Sequence, residues 1–175
     1  MYNIFKPSNS KNSSWNLFKT YFQTFWFYLL FLGIFPYFIL LIEKQSQIIS
    51  FTSLNTLGVI LFFLFTCLGL YSGFIMSWHG QGTPLPMDCA QKLVVKGSYK
   101  IIRNPMAVAG IGQAFSIGLY FGSFLILFYA FSGAILWHIF VRPSEEKNLL
   151  ERFGKNYLEY RNNTWCWFPF QLLKR

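Results

Sequence analysis

Two polar clusters stand in an otherwise apolar chain, and theirs are the side chains whose types and spacing can do chemistry. The first is the loop at residues 96–106, with Tyr99, Arg103 and Asn104; the second is Arg142-Pro143-Ser144-Glu145-Glu146, which reads as an acidic turn. Guanidinium, carboxamide and carboxylate groups together supply directed hydrogen bonds and both signs of charge, which is what holding a polar small molecule requires. Only apolar sequence separates the clusters, so a hairpin there brings them together. Charged groups at the edge of a lipid-embedded bundle are costly to order, and their convergence points to a binding site. Each cluster also has a local explanation. Pro143 suits a first helical turn and Glu145 and Glu146 its positive end, while Arg103 suits a lipid-surface anchor before a helix started by Pro105. Capping explains the carboxylates but leaves the loop unexplained.

The elements that must position these clusters follow from composition. Of 175 residues 54% are apolar and 12% charged, and 22 are Phe. Apolar runs at about residues 21–42 and 54–78 exceed the roughly 18 residues needed to cross a bilayer. A third region, about residues 106–141, is too long for one crossing; Gly118-Leu-Tyr-Phe-Gly122-Ser123 lies in its middle and can turn, giving a tight hairpin whose first helix is short. The predicted fold is all-α: a polytopic membrane helix bundle of about four embedded helices, with a C-terminal helical hairpin and an amphipathic cytoplasmic tail helix. Its expected divisions are a mobile cytoplasmic arm (1–20), two N-terminal transmembrane helices (21–78) and a core of loop, hairpin and tail (79–175).

Charge placement agrees with that count. Lys6, Lys11 and Lys19 precede the first span, Lys92, Lys96, Lys100 and Arg103 follow the second, and seven more, including Arg142, Arg152, Lys174 and Arg175, lie in the tail, whereas the hairpin tip is uncharged. Basic residues collect on the cytoplasmic side, so both termini and the large loop are expected there in an integral membrane protein. The net charge of +9 flanks spans instead of forming one basic stripe, which excludes nucleic acid in favour of anionic lipid. The first apolar run is too long for a cleavable signal peptide. Cys67, Cys89 and Cys166 are too few and too scattered for a disulfide framework or a zinc site, and no metal is expected.

Local signals refine the picture. Gly33 and Pro36 predict a kink in the first span. Gly69 with Gly73, and Gly110 with Ala114 and Gly118, have the spacing of close helix packing. Two Gly and two Pro within residues 79–86 predict a loop, and Gly80-Gln-Gly82, with no strand before it, is not a dinucleotide fingerprint. No strands alternate with helices, which excludes a doubly wound nucleotide domain. In the tail, Leu149, Phe153, Tyr157 and Tyr160 share one helical face, with Lys147, Glu151, Lys155 and Glu159 mostly elsewhere and Gly154 as a candidate break.

Taken in order, Gly82-Thr83-Pro84, Leu93-Val94, Gly97, Tyr99, Arg103 to Met106, an apolar hairpin, then Glu145-Glu146, Leu149, Phe153-Gly154, Tyr157 and Tyr160 resemble the isoprenylcysteine carboxyl methyltransferase family, integral membrane enzymes related to phospholipid N-methyltransferases. The resemblance implies S-adenosyl-L-methionine in a cytoplasm-facing pocket roofed by loop and tail. It assigns cofactor contacts to Gln91, Lys92, Leu93, Val94, Tyr99, Asn104, Pro105, Met106, Ala107 and Glu145. It implies a lipophilic or lipidated small-molecule acceptor arriving from the bilayer, with Arg142 on the substrate side. Relatives often carry His at the position of Gln91 and Tyr at that of Ala107, so the cofactor wall is altered there.

Methyl transfer from a sulfonium is an in-line displacement that needs alignment and exclusion of water but no metal or covalent intermediate. Arg142 and Glu145 are then the candidate catalytic residues: Glu145 accepting hydrogen bonds from cofactor ribose or ammonium, Arg142 orienting a carboxylate acceptor in a two-pronged contact, a choice that favours carboxylate over phospholipid amine or thiol. His138, one helical turn before Arg142, is a substrate-side candidate or a packing residue. Two other classes stay open: a sterol-reductase-like membrane reductase using NADPH, and a non-catalytic scaffold.

Overall fold

Helices dominate because the apolar runs have no water to satisfy their backbones. The computed structural model describes residues 5–10, 12–47 and 50–167; both chain ends, with Lys174 and Arg175, lie outside the described residues. Six helices, α1 (Ser13–Phe27), α2 (Phe35–Gln45), α3 (Asn55–Gly80), α4 (Pro105–Phe121), α5 (Phe124–Leu136) and α6 (Arg142–Asn163), occur with no strand among the described residues. Three helical stretches are long and apolar enough to cross a membrane, Ser13–Gln45, Asn55–Gly80 and Phe124–Asn163, and α4 is a shorter apolar fourth. The protein is an all-helical integral membrane protein.

The first and last of these stretches share a construction. Residues Tyr28–Ile34 between α1 and α2, and Trp137–Val141 between α5 and α6, are wound as π-helix. Each stands just before a proline, Pro36 or Pro143. Proline has no N–H to donate and its ring crowds the carbonyl four residues back, so the chain widens by one residue: Phe35 N–H bonds Leu30 O and Arg142 N–H bonds Trp137 O. The kink expected from Gly33 and Pro36 therefore takes this form. The expected acidic turn at Arg142–Glu146 is instead helix, continuous with the last span. From Phe124 to Val141 that span covers roughly 27 Å at about 1.5 Å per residue, close to a hydrocarbon core, so α6 emerges from the membrane.

At the centre α3 packs along α4, with α1 against α3 and α5 against α4. The tip between α4 and α5 is two residues long, Gly122 and Ser123. Gly122 adopts φ 66°, which a side chain resists, and Ser123 caps α5 by accepting from Ile126 N–H. Small residues let α3 and α4 approach. A Cβ on Gly58 would lie 2.9 Å from the Ser116 carbonyl oxygen, too close for any real side chain. In α6 the expected amphipathic pattern is present: Tyr157 is buried, Leu149, Phe153 and Tyr160 are half-buried, and Lys147, Glu151, Lys155 and Glu159 are exposed. Gly154 interrupts the helix with φ 52°.

The N-terminal arm differs from expectation. Residues 5–10 are held against the loop after α3: Lys6 N–H donates to Pro86 O, Ser8 N–H to Cys89 O, and Cys89 N–H returns to Lys6 O. Lys19 pairs with Asp88, and α1 begins at Ser13, inside the segment assigned to the arm. Polar Ser and Asn side chains, which suggest solvation in sequence, here satisfy backbone groups of the arm and of the start of α1: Ser10 N–H donates to Ser8 Oγ, Ser14 N–H to Asn12 Oδ1, and Asn16 Nδ2 to Ser10 O.

Thermal unfolding in detergent tests the central packing. Gly58→Ala is expected to lose about 1–3 kcal/mol through forced separation of α3 and α4, whereas Gly133→Ala in α5, where no described residue would lie within 4 Å of the new Cβ, should be neutral or slightly stabilising.

Candidate functional site

The loop between α3 and α4 reaches its position in short steps. A 3-10 turn, Gly97–Lys100, seats Tyr99 in a buried cluster with Ile75 and Val94, and the Ser98 and Ser72 hydroxyls bond at 2.8 Å. Burial pushes the Tyr99 phenol well above its ordinary range, so it stays neutral. Asn104 precedes α4, and Pro105 takes the first helical position, where its missing N–H costs nothing.

The tail fastens the loop from the other side. Glu146 Oε1 accepts from Arg103 Nη1 at 2.9 Å and from Arg142 Nε at 2.8 Å, joining the start of α4 to the end of the last span. Tyr160 donates to Tyr99 O at 2.6 Å and Arg103 N–H to Trp165 O at 2.7 Å. Arg152 donates to Ala90 O at 2.6 Å and to Cys89 Sγ at 3.0 Å. The loop is thus clamped between the N-terminal arm and α6.

The clamp encloses a cavity of about 450 Å³. Of the residues singled out in sequence, Leu93, Val94, Tyr99, Asn104, Met106, Ala107 and Glu145 line it, as does Lys92. Four others do not. Gln91 donates to Ser8 O at 2.5 Å and Ser10 O at 3.3 Å, spending its amide on the arm. Pro105 is buried in the start of α4. Arg142 is engaged by Glu146, which raises its pKa further, and by the ring of His138. His138 is exposed and accepts from Trp167 Nε1 at 2.9 Å.

The two carboxylates therefore have different surroundings. Glu146 has two cations, whereas Glu145 faces the cavity with no salt bridge or hydrogen bond to a described residue, and burial first, then the Glu146 charge, push its pKa up to about 7. A carboxyl with its pKa near 7, in a cavity that Asn104, Lys92 and Arg152 also line, can accept hydrogen bonds from a cationic group and settle its charge on binding.

Sequence reasoning missed one wall. Thr20, Gln23, Thr24, Phe27 and Tyr28 of the first span line the cavity, as does Phe5 of the arm. Polar residues at 20, 23 and 24, spaced three and four apart amid Phe and Trp, were the available signal. The π-helical stretches contribute as well, through Tyr28, Trp137 and Val141.

The Glu146 bridge has a measurable consequence. Glu146→Gln leaves two guanidiniums without a counter-charge, Arg103 only 10% exposed, and is expected to lower stability by roughly 1–3 kcal/mol in thermal unfolding. Arg142→Gln should cost less, because Arg103 keeps its partner.

No curated protein matches the chain. The family model described as phospholipid methyltransferase matches residues 46–156, from just before α3 to beyond Gly154, and so includes the loop, the hairpin and both carboxylates. With well over half of its length matched, the chain belongs to the phospholipid methyltransferase family of membrane methyltransferases.

Proposed function

We propose that the protein transfers a methyl group from S-adenosyl-L-methionine to a lipophilic acceptor entering from the bilayer. The observation that carries this reading is the Glu145 carboxyl, unpaired among the described residues, in a cavity roofed by loop and tail. The cavity volume falls within the roughly 300–1,000 Å³ usual for small-ligand sites.

The residues present fit the cofactor. Glu145 would accept from its ammonium or ribose, Asn104 would bond its polar edges, and Lys92 and Arg152 would face its carboxylate. Leu93, Val94, Met106 and Ala107 would enclose its apolar surface. When bound, the cofactor supplies an electrophilic methyl on a sulfonium. The chain's own work is alignment and exclusion of water, which loop, arm and α6 are placed to do. Family membership favours methyl transfer over the reductase and scaffold readings.

A carboxylate acceptor gains no support from Arg142, whose guanidinium is held by Glu146 and His138 outside the cavity lining. We therefore leave the acceptor class as a lipid-soluble nucleophile, and propose, from the Lys and Arg flanking the spans, that loop and tail face the cytoplasm.

The raised Glu145 pKa fixes the sign of a pH test. The folded carboxyl binds its proton more tightly than an unfolded one, so its contribution to stability declines as pH rises from about 4.5 to about 7. A ligand that presents an ammonium group to Glu145 prefers the ionised form, and its affinity should rise over the same approach to neutrality and flatten above it. Calorimetric titration with S-adenosylhomocysteine between pH 6 and 8 is expected to give that profile. Glu145→Gln should bind weakly at every pH; unchanged binding in that variant would sink the assignment.

A further inference from the structure

The helix that carries Glu145 offers the cavity more than a carboxyl. Glu145, Asn148, Leu149 and Arg152 are spaced three, one and three residues apart, which sets them on one face of α6, and all four line the cavity. Asn148 is only 5% exposed, yet its carboxamide makes no hydrogen bond to a described residue, and neither of its polar atoms is fully occluded. The little surface it keeps therefore includes the carboxamide, open to the cavity that the residue lines. Packing alone favours an apolar residue at such a position, because an amide withdrawn from water without a partner is destabilising, a deficit that a bound ligand removes.

The neighbours on this face define what such a group can hold. Asn148 stands roughly 4.5 Å beyond Glu145 along the helix and roughly 6 Å before Arg152, at about 1.5 Å per residue. Glu145 has no ion pair among the described residues. Arg152 donates to Ala90 O and Cys89 Sγ, and its positive charge is likewise matched by no described carboxylate. The face thus presents a carboxyl, a neutral amide and a cation in that order. Its complement is a molecule with an ammonium and a carboxylate on one carbon, an α-amino acid lying over Asn148 with its ammonium toward Glu145 and its carboxylate toward Arg152. A carboxamide can donate to the one group and accept from the other at once. We propose that Asn148 binds the amino-acid end of the methyl donor, its Nδ2 donating to the α-carboxylate and its Oδ1 accepting from the α-ammonium. This inference rests on the reading of the cavity as an S-adenosyl-L-methionine site.

Two ligands separate the amino-acid end from the nucleoside: S-adenosylhomocysteine, which carries both charged groups, and 5′-methylthioadenosine, which carries neither. Affinities are measured by calorimetric titration of the full chain in nanodiscs for wild type, Asn148→Leu and Asn148→Ala, with ligand-free thermal unfolding recorded for each. The variants should lose about tenfold in S-adenosylhomocysteine affinity, the amount one hydrogen bond to a charged group supplies, and keep their affinity for 5′-methylthioadenosine within about twofold. Ligand-free Asn148→Leu should unfold at the wild-type temperature or above it, since the carboxamide has no partner to lose. The same ratio of the two affinities in wild type and both variants would overturn the proposal. Equal losses for both ligands would place Asn148 against the nucleoside, and unchanged affinities with a lowered unfolding temperature would make it a packing residue. Either result leaves the methyltransferase reading standing, whereas a wild type that binds neither ligand would overturn that reading and this inference with it.

Discussion

One carboxylate oxygen, Glu146 Oε1, holds the loop and tail of this protein together. Arg103 at the start of α4 and Arg142 at the end of the last span both donate to it, within 3 Å. Two like-charged guanidiniums do not gather without an anion between them, and the surroundings are dry enough for the attraction to exceed that of an exposed pair. Because Arg103 belongs to the loop and Arg142 to the first turn of α6, this bridge brings two polar clusters distant in sequence to opposite sides of one cavity. The contacts Tyr160 to Tyr99 and Arg152 to Ala90 extend the same seam.

The bridge also divides labour between adjacent carboxylates. Glu146 is neutralised structurally, which leaves Glu145, one residue earlier and about 100° around the helix, lining the cavity without an ion pair or hydrogen bond to a described residue. Its raised pKa follows from burial and from the neighbouring Glu146 charge. Glu145 thus gives the cavity a carboxyl whose pKa is pushed up to about 7, which a fully paired carboxylate would not supply.

Proline placement sets the shape of the walls. Pro36 and Pro143 each convert the preceding turn to π-helix, and both π stretches line the cavity. A widened turn shifts side chains relative to a regular helix, and Tyr28 and Trp137 of these stretches line the cavity. On the outer side the arm and Gln91 close the loop, so a residue matched by position to cofactor contact is used in scaffolding instead.

The sequence by itself determined the number of embedded helices, the hairpin turn at Gly122, the amphipathic face of α6 and the break at Gly154, because hydrophobic period and glycine chemistry are local. It also marked most of one cavity wall, Leu93, Val94, Tyr99, Asn104, Met106 and Ala107, since their motif order is specific. The roles of Gln91, Arg142, Glu145 and Glu146 were decided only in three dimensions. Which carboxylate a guanidinium takes, and whether an amide turns to a cavity or to a neighbouring backbone, depends on groups dozens of residues away. The same holds for the α1 face and the arm: helical spacing placed Thr20, Gln23 and Thr24 together, but only packing against α3 and the loop gave that face a cavity to line.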